Sequence, residues 1–300
     1  MPIQEVKKIW MNGKLVGWKE AKIHVLTHAL HYGSGVFEGI RCYKTVKGPA
    51  VFRLREHMQR LHNSAKLYFM RLPYSVEELS KATKELIRAN GLEECYIRPI
   101  AFRGYGEMGL NPLRSPIDVS IAVWPWGTYL GEEGVKNGIK AKVSSFQRIS
   151  PNTLPPLAKA TGQYVNSILA KVEALNSGCD EAIMLDHRGF VSEGPGENIF
   201  AAKNGIIYTP PEHASILKGI TRDSIITIAR DMGYAVVETD ITRTSLYTAD
   251  EVFFTGTAAE LTPIREIDGY KIEKPGRITK EIQYKFFEIT KGKDEKYIAW

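Results

Sequence analysis

The chain has 300 residues, of which 43% are hydrophobic and 25% charged, and 40 Lys+Arg against 34 Asp+Glu give a formal charge of +6. That balance excludes a disordered tail, a collagen-like rod and a coiled coil, and the length predicts two domains or one large one with a core that needs no disulfide staples. No apolar run approaches the roughly 20 residues a membrane-spanning helix needs, and no block of like charges marks a nucleic-acid arm.

Met1–Glu5 lacks an apolar signal core. Cys42, Cys95 and Cys179 are odd in number and widely spaced, without a CxxC pair. A disulfide framework or a zinc site is therefore not expected, and a reducing cytoplasm is. The seven histidines show no ligand spacing beyond His28/His31, so no metal is expected and structural roles are assigned to them.

Residues 1–125 read as a small mixed α/β domain. Asn12-Gly13 predicts a hairpin, because both residues accept the positive φ of a type I′ turn. A helix is predicted over 54–69, with Leu54, Met58, Leu61, Ala65 and Tyr68 on one stripe. Ser75 and Glu78 form a capping box for a second helix, which Asn90-Gly91 ends. Tyr96–Phe102 and Ile117–Val123 read as strands. The aromatic, turn-rich stretch around Trp124-Pro125-Trp126 predicts an interdomain loop over 126–133.

A larger domain is expected over 134–300. Ile139–Phe146 is a strand candidate, and Lys159 is read as opening a helical stretch with Tyr164, Val165, Ile168, Leu169, Val172 and Leu175 on one face. Glu181–Asp186 reads as a strand, and Asn198–Tyr208 as a hairpin through Asn204-Gly205. Gly219-Ile220-Thr221 introduces a helix, with Ile225, Ile228, Ala229 and Met232 inward. Ala235–Asp240 and Glu251–Ala258 are strand candidates, and Lys291–Lys296 reads as a solvated tail. No G-x-G-x-x-G joins a strand to a helix, so a Rossmann reading fails.

Four local features carry chemistry: Lys159 in Pro156–Gly162; Ser192-Glu193-Gly194-Pro195-Gly196-Glu197-Asn198; Gly219-Ile220-Thr221-Arg222; and Thr255-Gly256-Thr257-Ala258-Ala259-Glu260. Each alone is weak. A lysine is usually a surface charge, and Gly-Pro-Gly is usually a turn. In this order, and together with His28–Gly33, Val36-Phe37-Glu38-Gly39-Ile40-Arg41, His57–Leu61 and Tyr96-Ile97-Arg98-Pro99, they resemble the fold-type IV pyridoxal-phosphate enzymes. The likeness is greatest to the branched-chain amino-acid aminotransferases and covers nearly the whole chain.

The resemblance implies an α/β (α+β) fold of two domains: a small α/β domain and a larger pseudo-barrel domain, with the cofactor cleft between them. It implies a transaminase that moves the amino group of L-leucine, L-isoleucine or L-valine to 2-oxoglutarate on pyridoxal 5'-phosphate. It also implies a homodimer or a trimer of dimers. A D-amino-acid aminotransferase or an aminodeoxychorismate lyase shares the lysine and the first glutamate. Outside the family, a cofactor-free Schiff-base lyase or a phosphate-ligand binding protein would reuse the same lysine and helix terminus.

The implied roles make chemical sense. A substrate Cα–H is too weakly acidic to ionise unaided, and the cofactor acts as an electron sink. Lys159 is implied as the Schiff-base lysine that then works as general base and acid. Glu193, with Glu197 as competitor, is implied to keep the ring nitrogen protonated. Gly219, Ile220 and Thr221 at a helix start, with Arg60, Gly256 and Thr257, would hold the phosphate. Tyr164 would donate to the ring oxygen.

For the substrate, Thr257, Ala258 and Ala259 are implied to grip the α-carboxylate, and Tyr96 with Arg98 a distal carboxylate; the two alternate on one strand face. Phe37, Trp126, Tyr129 and Tyr164 would line an apolar pocket, with Gly39 also at the substrate and Tyr32 and Leu110 expected from a neighbouring subunit. A buried guanidinium is costly unpaired, so Arg98 is expected to keep a partner, Tyr96 or Tyr32.

Overall fold

The structure is a computed structural model and describes residues 3–127, 130–272 and 275–300. It resolves into two compact units. The first comprises Met1–Trp126, Ala158–Gln163 and Thr290–Trp300, and the second Gly127–Leu157 and Tyr164–Ile289. The chain thus contributes to the first unit three times, and the short Ala158–Gln163 return carries Lys159.

In the first unit the strands are β1 (Lys8–Met11), β2 (Lys14–Gly17), β3 (Gly35–Phe37), β4 (Ile40–Thr45), β5 (Gly48–Val51), β6 (Cys95–Arg103) and β7 (Ile117–Trp124). The helices are α1 (His28–Tyr32), α2 (Leu54–Leu67) and α3 (Val76–Asn90). The sheet is antiparallel with order β2-β1-β7-β6-β4-β5, and β3 also pairs β6. Asn12 and Gly13 turn the first hairpin at φ 47° and 87°. Ser75 and Glu78 form the expected capping box, and Gly91 ends α3 in the left-handed region.

Alternation sorts the sheet's two faces. Ile97 and Ala101 of β6 and Val119, Ile121 and Val123 of β7 pack in one cluster with Met58, Leu61, Leu79 and Leu86 from α2 and α3. Tyr96 and Arg98, at the intervening positions of β6, project from the opposite face. That parity separates chemistry from core.

One expectation changes in this unit and two gain detail. Lys159 does not open a helix: its carbonyl accepts from Phe37 N–H at 2.9 Å and Ala160 bridges Val36, so the segment is tied to β3 by a single isolated bridge. The lysine charges over Lys291–Lys296 are exposed as read, but the residues after them pack. Trp300 O accepts from Arg53 N–H at 2.8 Å, the Arg53 guanidinium lies 5.1 Å from the Trp300 ring centroid, and Tyr297 is buried. His57, read as merely structural, has a buried carboxylate partner described below.

The second unit holds α4 (Gly131–Asn137), β8 (Ile139–Val143), α5 (Tyr164–Asn176), β9 (Glu181–Ile183), β10 (Asn198–Lys203), β11 (Ile206–Thr209) and α6 (Ile220–Asp231). It continues with β12 (Val236–Glu238), α7 (Arg243–Tyr247), β13 (Glu251–Gly256), β14 (Glu260–Ile267), β15 (Tyr270–Lys271) and α8 (Arg277–Thr290). Its mixed sheet runs β12-β11-β10-β13-β14-β8-β9, with β15 on β14. Ile183, Ile199, Val252, Phe254 and Ile264 form its core, and Asn204-Gly205 turns the expected hairpin with both residues at positive φ.

Two details depart from periodicity. β8 ends at Val143 because Ser144 Oγ and Ser145 N–H turn to the Glu173 carboxylate, the latter at 2.9 Å. α5 begins at Tyr164, and its apolar stripe faces outward: Val165, Ile168, Leu169, Val172 and Leu175 are all exposed. The buried side is Ser167, Ala170 and Ala174, with the alanines packed on Ala182 and Met184. Small side chains let the helix approach the sheet closely, so the large ones are left on the far side.

Candidate active site

In the first unit, both backbone groups of Lys159 are committed. Its carbonyl accepts from Phe37, and its N–H donates to Ser64 Oγ of α2 at 3.0 Å. The flanking Ala158 and Ala160 are buried, so the side chain leaves from a fixed base. Lys159 Nζ lies 5.2 Å from the Phe37 ring centroid.

One flank of α2 presents His57, Arg60 and Ser64, spaced three and four residues apart as neighbours on a helix face. Arg60 donates from Nε to Glu38 Oε1 at 2.6 Å and from Nη2 to Oε2 at 2.8 Å. His57 Nδ1 meets Glu38 Oε2 at 2.8 Å. Glu38 is fully buried, at 0% exposure. Burial alone would raise its carboxyl, but the Arg60 guanidinium and His57 outweigh this and hold it well below the usual carboxylate range. For His57, burial dominates over the Glu38 carboxylate and pushes the imidazole down, so it is neutral at neutral pH.

Arg98 sits among rings. Its Cζ lies 4.8 Å from the Phe37 centroid, 5.3 Å from Tyr96 and 6.0 Å from Trp124. Nη2 donates to Tyr96 Oη at 3.3 Å, so Tyr96 is the expected partner, while the buried Nε has no hydrogen-bond partner. Trp126 packs edge-on against Tyr96 with centroids 4.2 Å apart. Gly39 makes this possible: a Cβ there would stand 2.1 Å from Tyr96 Oη. The Phe37 ring therefore has a primary amine and a guanidinium close by.

Tyr32 and Leu110 are exposed, Leu110 at 89%. His28 ties their segments together: Nδ1 meets Ser34 Oγ at 2.7 Å, Nε2 meets Gly109 O at 2.9 Å, and the ring packs on Tyr32. Tyr129 lies outside the described residues.

In the second unit, Glu193 is buried and its carboxylate is held from three sides. Arg148 Nε donates to Oε1 at 2.8 Å; Asn198 Nδ2 and Leu217 N–H donate to Oε2 at 2.9 and 3.0 Å. Glu197 is different: burial, with Glu181 and Glu193 nearby, pushes its carboxyl up to about 8, so it is protonated at neutral pH.

Asn198 also links Glu193 to the start of α6. Gly219 is the N-cap of α6, and a Cβ there would collide with Asn198 Oδ1 at 2.0 Å. Ile220 and Thr221 follow in the first helical turn, both buried. Thr257, Ala258 and Ala259 form the tight turn between β13 and β14, and a Cβ on Gly256 would stand 3.3 Å from Gly196 O. Glu193, the α6 N-terminus and the Thr257 turn thus converge within this unit. Tyr164 is half-buried at the first turn of α5.

Sequence reasoning missed Arg148, Glu38, His57 and Trp124 as site residues. Glu38 and His57 lie inside quoted motifs, and Trp124 in the aromatic run, so local signals existed. Arg148 has none. No group of three or more His, Cys, Asp or Glu that could hold a metal ion occurs among the described residues.

The donors fit a phosphorylated pyridine aldehyde. In the first unit these are an amine on a fixed backbone and an arginine oriented in one plane; in the second, taken by itself, they are a buried carboxylate and a helix start opened by glycine. The buried, partnerless Nε of Arg98 and of Arg222 mark cationic groups not saturated by protein oxygens, and only the former lies against the Phe37 ring.

Comparison with known proteins agrees. Residues 35–267 match the Amino-transferase class IV family. The Branched-chain-amino-acid aminotransferase of Escherichia coli (strain K12) is 50% identical over 303 residues, spanning 100% of this chain and 98% of that protein. The crystal structure of the Escherichia coli branched-chain amino acid aminotransferase superposes with a TM-score of 0.97 at 50% identity, covering 99% of this chain and 98% of that one. The branched-chain amino acid aminotransferase from Thermobaculum terrenum, in its PLP-bound holo-form, gives a TM-score of 0.93 at 35% identity, over 99% and 97% of the two chains.

Proposed function

This chain belongs to the amino-transferase class IV family, and from that premise we propose that it transfers the amino group of L-leucine, L-isoleucine or L-valine to 2-oxoglutarate, using pyridoxal 5'-phosphate. One observation carries the choice of substrates. Lys159 Nζ and the Arg98 guanidinium lie 5.2 and 4.8 Å from the same Phe37 ring centroid. A reacting amine and a cation suited to a distal carboxylate therefore share an apolar wall. Aliphatic side chains use the wall, and the γ-carboxylate of glutamate or 2-oxoglutarate uses the cation.

The cofactor, when bound, supplies an electron sink for the carbanion at the substrate's Cα. The chain does the rest. Lys159 anchors the group through its amine and, once released by substrate, moves the proton at Cα as general base and acid. Glu193, held by Arg148, Asn198 and Leu217 N–H, would face the ring nitrogen and favour its protonated form. Arg60, the Gly219, Ile220 and Thr221 amides, Gly256 and Thr257 bind the phosphate. Tyr164 donates to the ring oxygen.

The Thr257, Ala258 and Ala259 turn binds the α-carboxylate. Phe37, Gly39, Tyr96, Trp126 and Tyr129 shape the side-chain pocket, with Tyr32 and Leu110 supplied by a second copy. The exposure of Tyr32 and Leu110 and the outward apolar face of α5 support a homo-oligomer, a dimer or trimer of dimers. The free thiols of Cys42, Cys95 and Cys179 suit a cytoplasmic location.

A coupled amino-transfer assay tests this reading. L-Leucine, L-isoleucine and L-valine should each yield glutamate from 2-oxoglutarate, with ping-pong kinetics. Turnover of D-alanine or of aminodeoxychorismate in their place would overturn it in favour of another branch of the family.

A further inference from the structure

We infer that Glu38, with His57 behind it, is the positioning residue that sets the plane in which Arg60 meets the cofactor phosphate. The inference rests on the reading of Arg60 as a phosphate contact. It starts from a carboxylate with no access to solvent, which apolar side chains of similar volume could replace if only packing were needed. Both its oxygens are used. Arg60 spans them with Nε and Nη2 at 2.6 and 2.8 Å, and His57 Nδ1 adds a third contact at 2.8 Å. A two-point guanidinium–carboxylate pair fixes the plane of the guanidinium. Its Nε–Nη2 edge is turned to Glu38, which fixes the direction of the remaining N–H groups.

Charge points the same way. His57 is kept neutral by burial and donates without adding charge. The positive charge of Arg60 is then matched by Glu38, and what Arg60 brings to a phosphate is placement of donors.

The frame reaches Lys159 as well. Glu38 N–H donates to Pro99 O at 2.8 Å, and the preceding Phe37 N–H donates to Lys159 O at 2.9 Å. Ser64, one turn beyond Arg60 on α2, accepts from Lys159 N–H at 3.0 Å. A cofactor that carries both an aldehyde and a phosphate would engage the lysine segment and the arginine together, and Glu38 is where the two are joined.

Apoprotein titrated with pyridoxal phosphate and, separately, with pyridoxal tests this. Glu38→Gln should weaken pyridoxal phosphate about tenfold or more while leaving pyridoxal within about twofold. Arg60→Ala should show the same selectivity. The double variant should lose no more than Arg60→Ala alone, because Glu38 acts through Arg60. If Glu38→Gln does not fold, Glu38→Asp, which keeps the charge but withdraws the carboxylate, should give the same selective loss.

An Arg60→Ala protein with an unchanged ratio of the two affinities would sink the phosphate reading of Arg60 and this inference with it. A selective loss in Arg60→Ala with an equal loss for both ligands in the Glu38 variants, or additive losses in the double variant, would overturn the inference alone.

Discussion

The Arg98 guanidinium lies among the rings of Phe37, Tyr96 and Trp124, an arrangement that tolerates an aliphatic side chain next to it. Cation–π contact supplies part of what a carboxylate would. Replacing Arg98 by Ala should raise the KM for 2-oxoglutarate about tenfold to a hundredfold and change that for leucine only a few-fold; equal losses for both would refute the division of labour. Arg148 plays another part. Removing it takes an ion-pair partner from the buried Glu193 carboxylate, so Arg148→Ala should cost about 3–5 kcal/mol in denaturant unfolding. A loss under about 1 kcal/mol would show that the Asn198 and Leu217 donors suffice. Sequence exposed these two arginines unequally. Arg98 sits in a strand motif with Tyr96 two residues away, whereas Arg148 lies in a loop among 40 basic residues and meets Glu193 only through long-range folding.

Elements whose signals are local were legible: the Asn12-Gly13 and Asn204-Gly205 hairpins, the Ser75–Glu78 box, and the glycine opening α6. Elements decided by tertiary contact were not. The residues around Lys159 carry no strand pattern, yet hydrogen bonds to Phe37 and Ser64 tie them to β3 and α2. The C-terminal residues look solvated by charge, but Tyr297 and Trp300 hold them to Arg53 and its surroundings. The α5 stripe was visible as a period but not as a direction, since Ser167, Ala170 and Ala174 pack inward instead. An apolar face of that kind on an exposed helix fits a contact between copies. Ile168→Asp should therefore shift the protein to a smaller species in light scattering with the fold intact by circular dichroism. An unchanged mass would place the assembly contact elsewhere.

Across the whole molecule, two buried carboxyls give stability opposite dependences on pH. Glu38 titrates below its ordinary 4.5 in the folded state. Its contribution is present above that value and is lost as pH falls through the folded one. Glu197 rises from 4.5 to about 8, so between these values the folded state keeps a proton that the unfolded chain has released. Stability from this group falls as pH climbs from 4.5 towards 8. Glu197→Gln, which copies the neutral form, should raise the melting temperature at about pH 8 more than at about pH 5; an equal change at both would contradict the shift. The partners behind the Glu38 shift could not be read from sequence, because Glu38, His57 and Arg60 meet only when the residue after β3 packs on α2. The whole reaction passes through the amine of Lys159. Borohydride reduction of the purified yellow protein, followed by peptide mass mapping, should place a phosphopyridoxyl group on Lys159 alone; a modified lysine elsewhere, or none, would contradict it.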